Sequence, residues 1–286
     1  IYEGIVGAAP DGTIVTHAQG CFLTHSNVFP STWTYGLGEW ADVVVVVMGC
    51  SPLMEGEQGE CIGAPEGGDR PDIDIPANQL EFLRTMKQET GKPIVAIVTG
   101  GAPLALEEVH GIADAVLFAW YPGEQGGVAA GDLLFGKASP SGKLPVTFPY
   151  SIEQVPDYTD YSLNNRTYRY MREDPMYPFG FGLSYTRFAY SNLTLSRSAI
   201  KSGRNLKATV TVANVGKRAA DEVVQVYLTD EAASVPVPRW ALKAFKRVRL
   251  AAGQAKKITF TITPAMMSLY DTAGNLALEP GSFTLT

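Results

Sequence analysis

The first half of the chain alternates apolar, β-branched runs with segments of helical period. Three such runs, at 43–48, 94–98 and 115–119, predict strands that are buried on both faces of a sheet. Helices are predicted over 76–91, where proline lies near the start and glycine ends the pattern, and over 128–135. This alternation predicts an α/β fold in which a mostly parallel sheet lies between helices, an αβα sandwich.

The last third of the chain has a period of two. Alternating runs at 206–213, 223–228 and 257–262, separated by glycine-containing turns, predict a small antiparallel β-sandwich. Between these halves, tyrosine, proline and glycine dominate, which is typical of a long irregular connector. We therefore predict an α/β domain at 1–150, a connector at 151–188 and an all-β domain at 189–286.

The first predicted strand leads into the part of the sequence that is richest in candidate chemistry. The strand stops at Gly49, and the loop that follows places Glu55, Glu57 and Glu60 close together. Ligand sites in open α/β sheets lie beyond the carboxyl ends of the strands. Crowded carboxylates repel one another, so we expect a raised pKa for at least one of them, as a general acid requires.

Charge and hydropathy narrow the class of partner. The net charge of −6 and the pI near 5.2 argue against nucleic acid and anionic membranes as partners. No apolar run reaches the roughly 18 residues of a membrane helix. The first ten residues show no signal-peptide pattern, and the chain opens in mid-pattern, as an internal fragment does.

Neither a metal nor a cofactor is expected. The three cysteines have no metal-ligand spacing, and buried free thiols are the simplest interpretation. The three histidines are scattered along the chain. The glycine-rich segments at 100–101 and 123–127 match neither phosphate-binding pattern, GxxxxGK[ST] or GxGxxG, which argues against a nucleotide.

Ten segments carry a specific resemblance and follow one another over nearly the whole chain. They are ADVVVVVMG, MEGEQGE, GGDRPDIDIPANQLEFL, KPIVAIVTGGAP, LFAWYPGEQGG, LLFGKASPSGKLPVTFP, NRTYRYM, YPFGFGLSYTRFAYS, VTVANVGKRAADEVVQVYL and LALEPGSFTL. In this order they resemble the C-terminal half of glycoside hydrolase family 3, the β-glucosidase and β-xylosidase family. The resemblance implies that the all-β domain is a fibronectin-III-like, immunoglobulin-like sandwich.

The resemblance does not extend to the family's N-terminal (β/α)₈ barrel. That barrel carries the nucleophilic aspartate, and this sequence contains no Ser-Asp-Trp nucleophile motif. The chain by itself is therefore expected to be inactive. Its expected partners are a barrel domain or chain and a β-linked oligosaccharide. Self-association into a homo-oligomer is the alternative for a lone fragment.

In the family, the α/β domain commonly lends the catalytic acid/base from a loop. The resemblance assigns this role to Glu57, with Glu55 and Glu60 as alternatives. Asp69 and Arg70 are expected to form an ion pair that fixes the loop.

Three further residues are expected to bind substrate. Trp120 and Tyr121 follow a predicted strand on the same side of the sheet, where an aromatic ring is able to stack on a sugar; core packing is the alternative. Arg169, within NRTYRY, is expected to border the aglycone side of the cleft, with domain packing as its alternative.

The implied reaction is retaining hydrolysis of non-reducing-end β-D-glucosyl residues. β-Xylosidase activity and a non-catalytic carbohydrate-binding or assembly role remain open. The resemblance favours a periplasmic or secreted location.

Overall fold

The computed structural model describes residues 1–26, 32–56, 59 and 68–286. The chain folds into two compact units. Unit 1 comprises Ile1–Lys137, Thr147–Val155 and Glu173–Tyr177. Unit 2 comprises Ala138–Val146, Pro156–Arg172 and Pro178–Thr286. The domain boundaries at 150 and 188 stay predictions. Among the described residues, no helix combines the length and the apolar character that crossing a membrane requires.

Unit 1 is an α/β structure built on a parallel sheet. The sheet order is β1-β2-β3, and the predicted strands at 43–48, 94–98 and 115–119 are confirmed in position to within a residue at each end. The predicted burial on both faces holds for β2 but is wrong for β1 and β3, where Val47 and Ala115 are exposed. Its elements are α1 (Tyr2–Ala8), α2 (Thr32–Trp40), β1 (Val44–Gly49), α3 (Ala77–Thr90), β2 (Ile94–Thr99), α4 (Glu107–Ile112), β3 (Ala115–Phe118), α5 (Gly126–Leu134) and a 3₁₀ turn (Ile152–Gln154).

The core of unit 1 lies between β2 and the helices that follow β1 and β2. Ile94 and Ile97 of β2, Leu83 of α3 and Val109 of α4 are fully buried. Continuous burial along β2 explains why its sequence is an unbroken apolar run rather than an alternating one. The helix α3 ends as its sequence predicts, because Gly91 adopts φ 61° and donates its N–H to the Lys87 carbonyl.

A buried amide side chain ties α3 to the end of β1. The Gly49 N–H donates to Oε1 of Gln79 at 2.7 Å, and Nε2 of Gln79 donates to the Gly49 carbonyl at 2.9 Å. The same Nε2 donates to the Leu23 carbonyl at 2.8 Å. Both polar groups of Gly49 are thus satisfied from the side of α3, as burial requires.

Unit 2 is an antiparallel β-sandwich. Its sheets have the orders β4-β5-β8 and β11-β6-β7, with a short β9-β10 pair. The alternating runs predicted at 206–213, 223–228 and 257–262 are β5, β6 and β8. The elements are α6 (Thr167–Tyr170), β4 (Phe188–Leu195), β5 (Leu206–Asn214), β6 (Ala220–Asp230), β7 (Ala241–Leu250), β8 (Ala255–Ile262), α7 (Pro264–Met267), β9 (Leu269–Tyr270), β10 (Leu276–Ala277) and β11 (Phe283–Leu285).

Two buried polar groups organise unit 2. Asn214, 1% exposed, accepts from the Thr186 hydroxyl at 2.6 Å and donates to the Leu250 carbonyl at 3.1 Å. Glu222, 7% exposed, accepts from the Tyr190 hydroxyl at 3.0 Å and lies 3.5 Å from Nζ of Lys143. Partners on both sides make these buried groups tolerable in an otherwise apolar core.

Candidate functional site

The carboxyl ends of the three parallel strands carry the candidate site of unit 1. The loop after β1 supplies Cys50 and Glu55, the turn after β2 supplies Gly101, and the turn after β3 supplies Trp120 and Tyr121. Parallel strands end at one edge of the sheet, so these three connections meet there. The expectation that the loop after β1 and Tyr121 lie on the same side of the sheet is correct.

The Glu55 carboxylate is the point where these connections meet. Its Oε2 accepts from the Tyr121 hydroxyl and, at 2.8 Å, from the Gly101 N–H. Its Oε1 lies 3.9 Å from Nη1 of Arg70, and the Glu55 side chain is 14% exposed. A carboxylate with donors from two loops and a cation beside it is held in one position.

Arg70 holds the other end of the loop. Its Nη1 donates to Sγ of Cys50 at 2.6 Å, and its Nη2 donates to Asp72 at 3.1 Å and to the Asp74 carbonyl. The expected ion pair between Asp69 and Arg70 is wrong. Arg70 turns inward to Glu55 and Asp72, because there it neutralises a poorly solvated carboxylate, whereas Asp69 is exposed.

The thiol and the phenol of the site are both neutral near pH 7. Burial, opposed by Arg70 and reinforced by Glu55 and Asp72, raises the pKa of Cys50 from 9.0 to about 11. Burial, followed by the hydrogen bond to Glu55, raises the pKa of Tyr121 above its ordinary value. Because Tyr121 keeps its proton, it is a stable donor to Glu55.

Two glycines permit the close approach of these loops. A Cβ on Gly101 would lie 2.9 Å from Cε2 of Tyr121 and 3.0 Å from Oε2 of Glu55. Gly49 adopts φ 115°, and a Cβ there would lie 2.2 Å from the Thr99 carbonyl oxygen. Any side chain at Gly101 therefore competes with Glu55 and Tyr121 for the same space.

Trp120 and Tyr121 have different surroundings. The Trp120 ring packs edge-to-face on Phe118 at 4.8 Å and on Phe148 at 6.0 Å, and its backbone has φ 55°. Positive φ is uncommon for a bulky residue and is found at functional sites. The Tyr121 ring is 40% exposed, so it keeps an accessible face although its hydroxyl is engaged. Substrate binding by either residue stays a prediction.

Three predicted site residues remain. Glu57 and Glu60 lie outside the described residues, so the raised pKa expected in this loop stays a prediction. Arg169 belongs to α6 of unit 2, where its guanidinium lies 5.8 Å from the Tyr168 ring centroid. The sequence did not predict the contacts of Gly101 and Cys50. A signal for both was present in the sequence: Cys50 directly follows the end of β1, and Gly101 is the second residue after the end of β2.

No group of three or more His, Cys, Asp or Glu side chains is positioned to hold a metal ion within residues 1–26, 32–56, 59 and 68–286.

The contacts at the strand ends act as a structural support. It fixes Glu55 and Arg70, the two residues that flank the segment 56–69, against all three strand ends.

Comparison with known proteins identifies the class. The model of the glycosyl hydrolase family 3 C-terminal domain matches residues 37–185. The model of the fibronectin type III-like domain matches residues 222–286. The chain therefore belongs to glycoside hydrolase family 3, and the predicted fold, an αβα domain followed by a fibronectin-III-like sandwich, is confirmed.

Relatives cover the whole chain. A periplasmic β-glucosidase of Salmonella typhimurium is 38% identical over all of this chain and 40% of its own length. A β-xylosidase of Formosa agariphila is 31% identical over all of this chain and 39% of its own length. The solved structure of a β-glucosidase from Erythrobacter marinus matches with a TM-score of 0.83 at 30% identity, covering 99% of this chain and 40% of that one. The chain thus spans about 40% of the length of each of these three proteins.

Proposed function

We propose that this chain is the C-terminal part of a retaining exo-β-glycosidase, a β-glucosidase that releases non-reducing-end β-D-glucosyl residues from oligosaccharides. The observation that carries the proposal is the anchoring of the segment 56–69 at both of its ends. Glu55 is held by Tyr121 and Gly101, and Arg70 is held by Cys50 and Asp72. A loop that delivers a catalytic acid needs this preorganisation.

Within this proposal, Glu57 is the acid/base. It lies two residues after the anchored Glu55 in the sequence. Retaining glycosidases use two carboxyls roughly 5 Å apart, one nucleophile and one acid/base. An aspartate of a barrel attacks the anomeric carbon while Glu57 protonates the leaving oxygen. Glu57 then deprotonates the water that releases the sugar.

The other carboxylates close to Glu57 in the sequence differ in how well they suit the role of acid/base. Glu55 accepts two hydrogen bonds and faces Arg70, which leaves it ill placed to donate a proton to a leaving group. Glu60 remains the alternative within the loop. Glu66 is included among the alanine variants tested below, because it lies only four residues before Arg70 in the sequence.

Trp120, Tyr121 and Arg169 are proposed to bind the substrate. The exposed face of Tyr121 supports stacking on a sugar ring, and the exposed Arg169 guanidinium supports hydrogen bonding to hydroxyls. The Phe118 and Phe148 contacts of Trp120 favour a role as a rigid wall.

Of the two alternatives, one has support of its own. β-Xylosidase activity is supported by the Formosa agariphila relative, which covers this chain completely. A non-catalytic carbohydrate-binding or assembly role would need no anchored acidic loop.

A periplasmic or secreted location is supported by the Salmonella typhimurium relative, named a periplasmic β-glucosidase.

The experiment begins with the chain alone, which we expect to be inactive toward aryl β-glucosides and aryl β-xylosides, since the nucleophile belongs to a barrel. The second arm adds a barrel polypeptide, and native mass spectrometry reports whether the two associate. Hydrolysis of the glucoside by the complex supports the proposal. Turnover by pure chain alone, or a complex that forms and hydrolyses neither substrate, contradicts it.

The acid/base is assigned in the active complex by Glu57→Ala. A dinitrophenyl glucoside, whose leaving group needs no proton, should still form the glycosyl-enzyme, and azide should restore turnover as a β-glycosyl azide. On alkyl glucosides the loss should be about 10²- to 10⁴-fold. Glu55→Ala, Glu60→Ala and Glu66→Ala are the matched comparisons. Azide rescue in one of them and not in Glu57→Ala would transfer the role to that residue.

A further inference from the structure

The two units carry opposite charge. Unit 1 contains 5 Lys and Arg against 21 Asp and Glu, a net charge of −16. Unit 2 contains 18 Lys and Arg against 8 Asp and Glu, a net charge of +10. The overall net charge of −6 is thus the sum of a strongly acidic and a strongly basic unit. The overall negative charge argued against anionic partners, but that argument does not apply to unit 2, which is positively charged.

Part of the positive charge of unit 2 is concentrated along one strand. Phe245, Arg247 and Arg249 alternate on β7 and pair with Gln225, Val223 and Asp221 of β6, so they share one face. That face is the outward one, because the intervening Val248 is buried.

One lysine of the neighbouring sheet extends this group. Lys256 of β8 is exposed and donates from Nζ to the Arg249 carbonyl at 2.9 Å. We name Phe245, Arg247, Arg249 and Lys256 the β7 strip.

A single carboxylate pairs with cations of the strip. Asp221 lies 2.7 Å from Nη2 of Arg247 and 3.3 Å from Nη1 of Arg249. Throughout the described part of the chain no other acid is within ion-pair distance of the strip. The Arg247 and Arg249 side chains stay 65% and 72% exposed, so both keep free donors. Three cations against one acid leave a net charge of +2 on an accessible surface.

The strip also exposes an aromatic ring. Phe245 is 67% exposed and is followed on the same face of β7 by Arg247. Charges on an edge strand prevent pairing with other strands, and β7 is the edge of the described β11-β6-β7 sheet. That role needs no exposed phenylalanine. An aromatic ring beside arginine forks suits a polymer that offers both carboxylates and apolar sugar faces.

We propose that the β7 strip binds an anionic, uronate-bearing polysaccharide. The arginines, spaced about 7 Å apart as alternate strand residues, take carboxylates through paired N–H donors, and Phe245 packs on a sugar ring. The choice of a polysaccharide among polyanions rests on the proposed glycosidase function. The attraction is between exposed charges, so it weakens as salt increases.

The test measures binding by the full chain, without any turnover, in affinity electrophoresis through gels containing polygalacturonate or a neutral β-glucan. We expect retardation by polygalacturonate that decreases with added salt. The combined variant Arg247→Ser, Arg249→Ser and Lys256→Ser should weaken this binding by about tenfold or more. The matched control is Arg197→Ser, Lys201→Ser and Arg204→Ser, which removes the same charge from exposed positions of unit 2 and should change binding less than about threefold.

A second variant guards against loss of folding. Phe245→Ser keeps every charge and should weaken polygalacturonate binding severalfold. Equal weakening by the strip variant and its control would show that net charge alone acts, which overturns the proposal. Tighter binding to phosphatidylglycerol vesicles or to double-stranded DNA than to polygalacturonate also overturns it. An inactive glycosidase that still binds through the strip would refute the proposed function and leave polyanion binding intact.

Discussion

The Tyr121 hydroxyl donates to Oε2 of Glu55, across the ends of β3 and β1. The Gly101 N–H reaches the same oxygen from the end of β2. One carboxylate oxygen thus connects all three strands of the parallel sheet at their carboxyl ends.

Tyr121→Phe should lower the free energy of unfolding of the chain by about 1 kcal/mol, because a hydrogen bond to a charged acceptor is lost at a partly exposed site. Urea denaturation measures the difference. Tyr158→Phe is the control, since Tyr158 is 86% exposed and lies in unit 2. Equal effects of the two substitutions would show that the hydrogen bond to Glu55 contributes nothing.

Gly101→Ala should destabilise the chain by about 1–3 kcal/mol, because its Cβ would overpack against Tyr121 and Glu55. Gly111→Ala makes the same chemical change in α4, where nothing lies within 4 Å of the added Cβ. That control should stabilise the chain by about 0.5–1 kcal/mol through helix propensity and a less flexible unfolded chain. Thermal unfolding of both variants provides the measurement, and a neutral Gly101→Ala would mean that the turn has room to move.

Cys50 should make stability decline at alkaline pH. Its pKa is about 11 in the folded chain against 9.0 ordinarily, so between these values the unfolded state has lost a proton that the folded state keeps. Stability is therefore fully present below pH 9 and decreases as the pH rises toward 11. The loss should approach about 2 kcal/mol relative to Cys50→Ser, whose side chain does not titrate. Parallel stability curves for wild type and Cys50→Ser would contradict the prediction.

Lys143→Met should destabilise unit 2 by about 3 kcal/mol, since it leaves Glu222 buried without its cation. The Lys143 and Glu222 side chains are 16% and 10% exposed. Lys137→Met, at an exposed position, is the matched control. The double change Lys143→Met and Glu222→Leu should recover part of the loss, because no unpaired charge then remains. Absence of recovery would assign the effect to packing.

The sequence predicted the regular parts of the fold because burial repeats with a fixed period. β1, β2 and β5 were visible as an unbroken or an alternating apolar run. β7 was not predicted, because its sequence, ALKAFKRVRL, places cations on an edge strand and contains a register shift opposite Val226 and Tyr227. β4 was not predicted either, since most of its residues are exposed and give no periodic signal.

The site was predicted less completely than the fold. Its place at the end of β1 followed from the position of the strand, and Tyr121 was singled out correctly as a neighbour of that edge. The partners of Glu55 and Arg70 did not follow, because they are set by three loops that converge only in the folded chain. The preference of Arg70 for Glu55 over the adjacent Asp69 depends on burial, which sequence proximity does not reveal.

Gln79 satisfies the last peptide of β1 from the side of α3, so the end of the strand does not depend on the residues beyond it. The next fixed points along the chain are Glu55 and Arg70. The free energy of closing a loop between two fixed points grows slowly with its length, by about 0.6 kcal/mol for each doubling. We therefore expect residues inserted between Glu55 and Arg70 to cost little folding free energy, since the anchors on either side hold the sheet closed.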